Sequence, residues 1–210
     1  MRVGLGALVI ATLAAMTAGP ALADTGHLGG MGAALFGDSF FHFNKQNLKA
    51  FPVSTIRAGR LRIELQRTRL SEVQRAFGGT IYEQGSGMRA AHWLCYQGSE
   101  ASTWFMSNVE GGNEYVMMVA SEAGGAAGSC DRAPTDLGVP DYGIPGLGAS
   151  LDQLKAHFGS ATVGSHSAIS YRVDRPARDG LGTAYDAEYL GYIMRGGKVA
   201  AVGVGETTAQ

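Results

Sequence analysis

The chain has 210 residues, 32 of them glycine and two cysteine, with 17 basic and 18 acidic side chains for a formal net charge of −1. Charged residues make up 17% and hydrophobic residues 45%, which excludes disorder driven by self-repulsion, and the charge balance excludes a general nucleic-acid binder. Two cysteines exclude a disulfide-dense scaffold and a four-cysteine zinc site, and glycines without a triplet period exclude collagen.

In chain order, residues 1–23 read as a secretory signal peptide. Arg2 supplies the positive start, Val3 to Ala18 is apolar and uncharged, and Pro20 is followed by Ala21-Leu22-Ala23 before Asp24. The small-x-small pattern places cleavage between Ala23 and Asp24. An uncleaved anchor is the alternative that length alone permits, and no Cys follows the apolar run to carry a lipid. Removing 23 of 210 residues leaves 187, and losing Arg2 leaves 16 basic against 18 acidic side chains, a net −2. The expected product is exported, periplasmic or secreted, with no stable membrane span.

Residues 24–57 form a Gly/aromatic segment. Gly26, Gly29, Gly30, Gly32 and Gly37 lead into Phe36, Phe40, Phe41, Phe43 and Phe51. The aromatic half is expected to pack on the domain or a partner, and the Gly-rich start to be mobile.

Residues 58–120 and 149–208 read as two copies of one unit. An offset of 81 puts Leu70 on Leu151, Val73 on Leu154, Phe77 on Phe158 and Gly78 on Gly159. The spacing i, i+3, i+7 is one apolar stripe of a helix. Thr68 or Ser71 is the expected first cap, Ser150 with Gln153 the second, and each Gly follows its helix as a stop. Strand-like runs follow: Thr80–Glu83, Ala91–Tyr96, Thr103–Ser107 and Tyr115–Ala120, then Ala161–Val163, Ile169–Val173, Ala187–Met194 and Lys198–Val204. Gly196-Gly197 between the last two is a two-residue hairpin signal. Residues 121–148, rich in Gly, Ala and Pro, read as the linker. The predicted fold is α+β: two repeats of one helix followed by an antiparallel β-meander, with the helices on one face of the sheet.

Export gives the cysteines a reading as well. Cys95 and Cys130 in an oxidising compartment predict a disulfide closing about 35 residues. A nucleophilic cysteine is the weaker alternative: His92, three residues from Cys95, points to the opposite face of a strand, and no Cys-x-x-Cys motif is present.

The helix frame, repeated twice in an exported chain, resembles the tandem α/β repeats of β-lactamase-inhibitor-protein-like domains. It is also similar to the small outer-membrane-assembly lipoprotein domains, but without their lipidated Cys. The strand His92-Trp93-Leu94-Cys95-Tyr96 followed by Cys130 resembles uncharacterised proteobacterial periplasmic proteins. The resemblance spans about residues 60–208 and implies a non-catalytic role, in which a sheet surface grips a periplasmic or envelope protein.

No catalytic set, metal site or cofactor is predicted. His27, His42, His92, His157 and His166 lack zinc-ligand spacing. His27 and His42 with Asp24 and Asp38 make only a loose N-terminal set. Gly85-Ser86-Gly87 and Gly146 to Ser150 lack the full phosphate-loop pattern and its Lys, and no nucleophile elbow is present. Glu83, Glu110, Glu114, Asp174, Asp186 and Glu188 are available as carboxylates, but nothing in the sequence pairs them. Alternation divides the strand into Ala91/Trp93/Cys95, expected to face the helices, and His92/Leu94/Tyr96, expected to face outward. His92, Tyr96 and Trp104 are the candidate binding residues on an open sheet face. An envelope-polymer hydrolase and a structural envelope protein are the alternative functions.

Overall fold

The computed structural model describes residues 24–37, 45–53, 55–125, 128–176 and 185–209. The expected signal segment with Ala23, and Asp38, Phe40, Phe41, His42 and Phe43, lie outside the described residues.

The fold is α+β and its sheets are mostly antiparallel. In chain order come α1 (Gly30–Phe36), β1 (Lys45–Asn47), β2 (Ile56–Ala58), β3 (Leu61–Ile63), α2 (Leu70–Phe77) and β4 (Tyr82–Gln84). Then follow β5 (Ala91–Gln97), β6 (Ala101–Asn108), β7 (Met118–Ala123), β8 (Asp131–Arg132), α3 (Leu151–Phe158), β9 (Ala168–Pro176), β10 (Tyr185–Arg195) and β11 (Lys198–Ala209). The main sheet has the order β1-β9-β10-β11-β7-β6-β5-β4, with β8 also against β5, and β2-β3 is a separate hairpin. The meanders β4–β7 and β9–β11 meet where β7 pairs antiparallel with β11. Only β1 on β9 and β8 on β5 are parallel.

Side-chain alternation sends successive residues to opposite faces, and both faces are buried. On one, α2, α3 and the β2-β3 hairpin place Leu70, Val73, Phe77, Leu154, Ile56 and Ile63 on Leu94, Tyr96, Phe105, Tyr171, Tyr192 and Val202. On the other, Leu28, Met31 and Leu35 of the N-terminal segment cover Trp93, Cys95, Trp104, Met106, Met118 and Ala201.

The two core helices differ in how they begin. Ser150 Oγ accepts from Gln153 N while Gln153 Oε1 accepts from Ser150 N, a complete capping box. At α2 the cap position is Arg69 without a side-chain cap bond, and Thr68 Oγ1 instead accepts from Glu64 N. Neither Thr68 nor Ser71 is therefore the cap. Both residues of the Gly196-Gly197 turn have positive φ, 56° and 74°, as a type I′ hairpin requires.

Several elements depart from the sequence reading. Residues 161–163 form no strand and simply connect α3 to β9. The strand expected from Tyr115 starts at Met118, because residues 109–117 turn back and Val116 N donates to Thr68 O at 2.8 Å. The region 121–148 carries the end of β7, all of β8 and a bridge from Asp141 to Arg57. The Gly-rich start is packed, with Met31 fully buried and Leu35 2% exposed. Seven residues with two glycines do not make a stable isolated helix; α1 exists because it fits. A Cβ on Gly32 would lie 2.9 Å from the Trp104 ring, and one on Gly203 of β11 would lie 2.9 Å from Leu35. Glycine here supplies closeness of approach.

Candidate functional site

The disulfide joins Cys95 in the middle of β5 to Cys130, with Cα atoms 4.5 Å apart. Both sulfurs are thereby committed, and the chain has no other cysteine. Asp24, the residue after the expected cleavage point, accepts from Gly85 N at 2.9 Å through Oδ1.

The three candidate binding residues do not share an open face. Tyr96 is 1% exposed and Trp104 1%. The Tyr96 hydroxyl donates to Gly78 O at 2.6 Å, at the end of α2, and burial drives its pKa well above the tyrosine range. Tyr96 thus faces the helices and Trp93/Cys95 face α1, the reverse of the expected assignment. The expectation assumed one covered face; a run such as Trp-Leu-Cys-Tyr, apolar at every position, belongs to a strand covered on both. His92 is partly buried, its Nδ1 3.6 Å from Glu83 Oε1 across the β4-β5 pair. His27 is held by the backbone, its N–H donating to Ser129 Oγ at 2.9 Å, and His157 lies exposed on α3 against Phe158. Among the described residues no group of three or more His, Cys, Asp or Glu is arranged to hold a metal ion, and no helix is long and apolar enough to cross a membrane.

The structure does bring carboxylates together. Glu188 on β10 and Glu206 on β11 are direct cross-strand partners, and Asp186 lies two residues along β10. All three point to the helix face, in register with Leu190 and Val204, but beyond the reach of α2 and α3. The segment 51–67, carrying β2 and β3, passes over them and leaves a cleft of about 460 Å³. Its apolar wall, from that segment, includes Phe51, Val53, Ile56, Ile63 and Leu65; its charged lining is Glu64, Asp186, Glu188 and Glu206 against Arg67 and Arg175. Arg175 Nη2 is 2.7 Å from Glu188 Oε2, and Arg67 Nη1 is 3.6 Å from Glu64 Oε2.

Burial raises the Glu188 carboxyl above its ordinary range; Arg175 opposes the rise and Asp186 adds to it. Burial also raises Glu206, reinforced by Glu188 and Asp186 and opposed by Arg175 and Arg67. Two facing carboxyls that both resist ionisation, inside a partly apolar cleft, make this the candidate site of the described residues. Asp186 and Glu188 were visible as candidates in the sequence; Glu206, Arg67 and Arg175 were not, since only the β10-β11 register and the passage of segment 51–67 bring them there. The other candidate acids are separated: Glu114 pairs with Arg69 and Asp174 with Arg172.

A second cleft, about 790 Å³, lies between the β5-β6 turn and residues 130–139, with Tyr96, Thr103, Leu137 and Val139 in its wall. It has no comparable concentration of facing charges. No protein-family model, curated protein or solved structure matches the chain.

Proposed function

We propose that the chain is an exported, periplasmic, non-catalytic protein-binding module, inhibitor-like or envelope-assembly-like, and that it receives a basic side chain of its protein partner in the Glu188/Glu206 cleft. The observation that carries this reading is the lining: four carboxylates against two guanidiniums beside an apolar wall. An ammonium or guanidinium would meet the carboxylates in charge-assisted hydrogen bonds, and its methylene stem would lie along Phe51, Val53 and Leu65. Export is supported by the signal-like residues 1–23, and the disulfide suits an oxidising compartment. The order of elements, α2 before β4–β7 and α3 before β9–β11, supports two helix-plus-meander units, each too small to bury a core alone.

The test is a titration of the mature chain with two acetylated tripeptides, Ala-Lys-Phe and Ala-Glu-Phe, followed by backbone amide shifts. Saturable shifts at residues 186–188 and 204–206 with the lysine peptide alone, weakened about tenfold or more in Glu188→Gln/Glu206→Gln, are expected. Equal response to both peptides, or none at these residues, would contradict the proposal.

One observation favours a second reading, an envelope-polymer hydrolase. Directly opposed residues in a sheet hold their Cβ atoms about 4.5–5.5 Å apart, so Glu188 and Glu206 present two carboxyls from neighbouring strands to one cleft, the pair of groups that acid and base work on a glycan requires. Release of reducing ends from a soluble envelope glycan, lost in either Glu→Gln variant, would decide for it.

A further inference from the structure

The disulfide sits where the N-terminal strap, the β4 edge and residues 128–131 meet. Ser129 N donates to His27 O at 2.8 Å, and His27 N donates back to Ser129 Oγ at 2.9 Å. The packing there is backbone against backbone: a Cβ on Gly128 would stand 2.8 Å from Gly29 N. On the other side of Cys130, Asp131 Oδ2 accepts from Thr80 N at 2.7 Å, and Trp93 Nε1 donates to Ser129 O at 3.3 Å. Residues 128–131 therefore clasp both the N-terminal strap, residues 24–36, and the β4 edge of the sheet. Between the end of β7 at Ala123 and the start of β8 at Asp131, the covalent hold on the sheet is Cys130 to Cys95.

The strap has further attachments at each end of this clasp. Thr25 N donates to Glu83 O at 3.0 Å. Met31 N donates to Glu122 Oε2 at 2.8 Å, and Arg195 lies 2.7 Å from the same carboxylate. The clasp holds the middle beside the indole of Trp93, where Leu28 N also donates to Gln84 Oε1 at 2.7 Å.

We infer that the Cys95–Cys130 disulfide is the pin of a redox-sensitive latch, which keeps the strap over the Trp93–Trp104 face and releases it on reduction. Cys130 is half-buried and Cys95 fully buried, so a small dithiol reductant attacks the Cys130 sulfur. The Cys95 sulfur leaves as a thiolate and takes up a proton. The reductant's second thiol then closes on the mixed disulfide and expels the Cys130 thiolate. The protein gains two electrons and ends with two thiols, and the reductant leaves as its cyclic disulfide. Residues 128–130 then keep only the non-covalent hold of the Ser129 hydrogen bonds to His27 and Trp93, and the strap opens as a unit while the sheet persists.

Amide hydrogen exchange of the mature chain, with and without dithiothreitol, tests this. Exchange across residues 28–36 is expected to rise about tenfold or more on reduction, with residues 189–194 and 199–204 still protected. Gly128→Ala, which pushes a methyl into the Gly29 backbone with the disulfide intact, is expected to accelerate the same strap amides without reductant. If strap exchange is unchanged by reduction, or if the strap and the β10-β11 amides lose protection together, the disulfide is no latch and the inference is overturned.

Discussion

On one face of the sheet, two eight-residue helices with apolar stripes bury Leu70, Val73, Phe77 and Leu154. On the other, a seven-residue helix with Gly30 and Gly32 inside it buries Met31 and Leu35 against two tryptophans. The first cover is built from helix-forming sequence that happens to pack; the second is built from packing that imposes a helix. Local propensity is a weak prior, and tertiary context overrides it where the fit is close enough. The comparison also separates chemistry from cover. The strap side is apolar and continuous, whereas the helix side runs past the ends of α2 and α3 and leaves the Glu188/Glu206 cleft.

If both covers are true core, neighbouring residues on β6 that point in opposite directions are equally important. Trp104→Ala, under the strap, and Phe105→Ala, under the helices, are each expected to cost about 3–5 kcal/mol in denaturant unfolding. A loss below about 1 kcal/mol for Trp104→Ala would break the comparison. Joint replacement of Cys95 and Cys130 by Ala is expected to cost about 3–4 kcal/mol, from the entropy of a loop of about 35 residues. Gly32→Ala sharpens the contrast by its sign. Helix propensity alone predicts a gain of about 1 kcal/mol, but the 2.9 Å approach to Trp104 predicts a loss of about 1–3 kcal/mol by overpacking.

Smaller effects are expected within the helix-side core. Tyr142 Oη is 2.8 Å from Ser121 Oγ, which is 3.2 Å from Thr103 Oγ1, so Tyr142→Phe is expected to cost about 1 kcal/mol. The Tyr192 hydroxyl is buried with no hydrogen-bond partner among the described residues, so Tyr192→Phe is expected to leave stability unchanged or raised. The cleft is checked by pH. Glu188 and Glu206 are raised above the ordinary 4.5 in the folded state, so the native chain binds protons there more readily than the unfolded one. These two groups therefore make stability rise as pH falls from neutral toward the carboxylate range, and weaken it as pH rises through the folded values. Glu206→Gln is expected to flatten that slope in thermal unfolding followed from about pH 7 to 5.

Elements with a complete local code were legible in the sequence. The capping box at Ser150, the Gly196-Gly197 hairpin, the stripes of α2 and α3 and the Cys95–Cys130 bond all rest on residues whose spacing carries the signal. Assigning faces on β5 failed for a physical reason: alternation distinguishes in from out only when one face is wet. The continuous apolar run from Trp93 to Tyr96 is the signal of two covered faces. The strap is not legible in the sequence because glycine signals freedom there, whereas in the fold Gly32 and Gly203 serve as room for Trp104 and Leu35. The cleft was half legible: Asp186 and Glu188 were present as acids, but pairing with Glu206 needed the β10-β11 register.

The N-terminal strap is a layer of the core. The chain's only two tryptophans, Trp93 and Trp104, both lie beneath it. Acrylamide quenching of tryptophan emission in the oxidised protein is the sharpest test. Blue-shifted emission with little quenching is expected in the native protein, and strong quenching once residues 24–37 are deleted; freely quenched emission from the intact native chain would show that the strap is no part of the core.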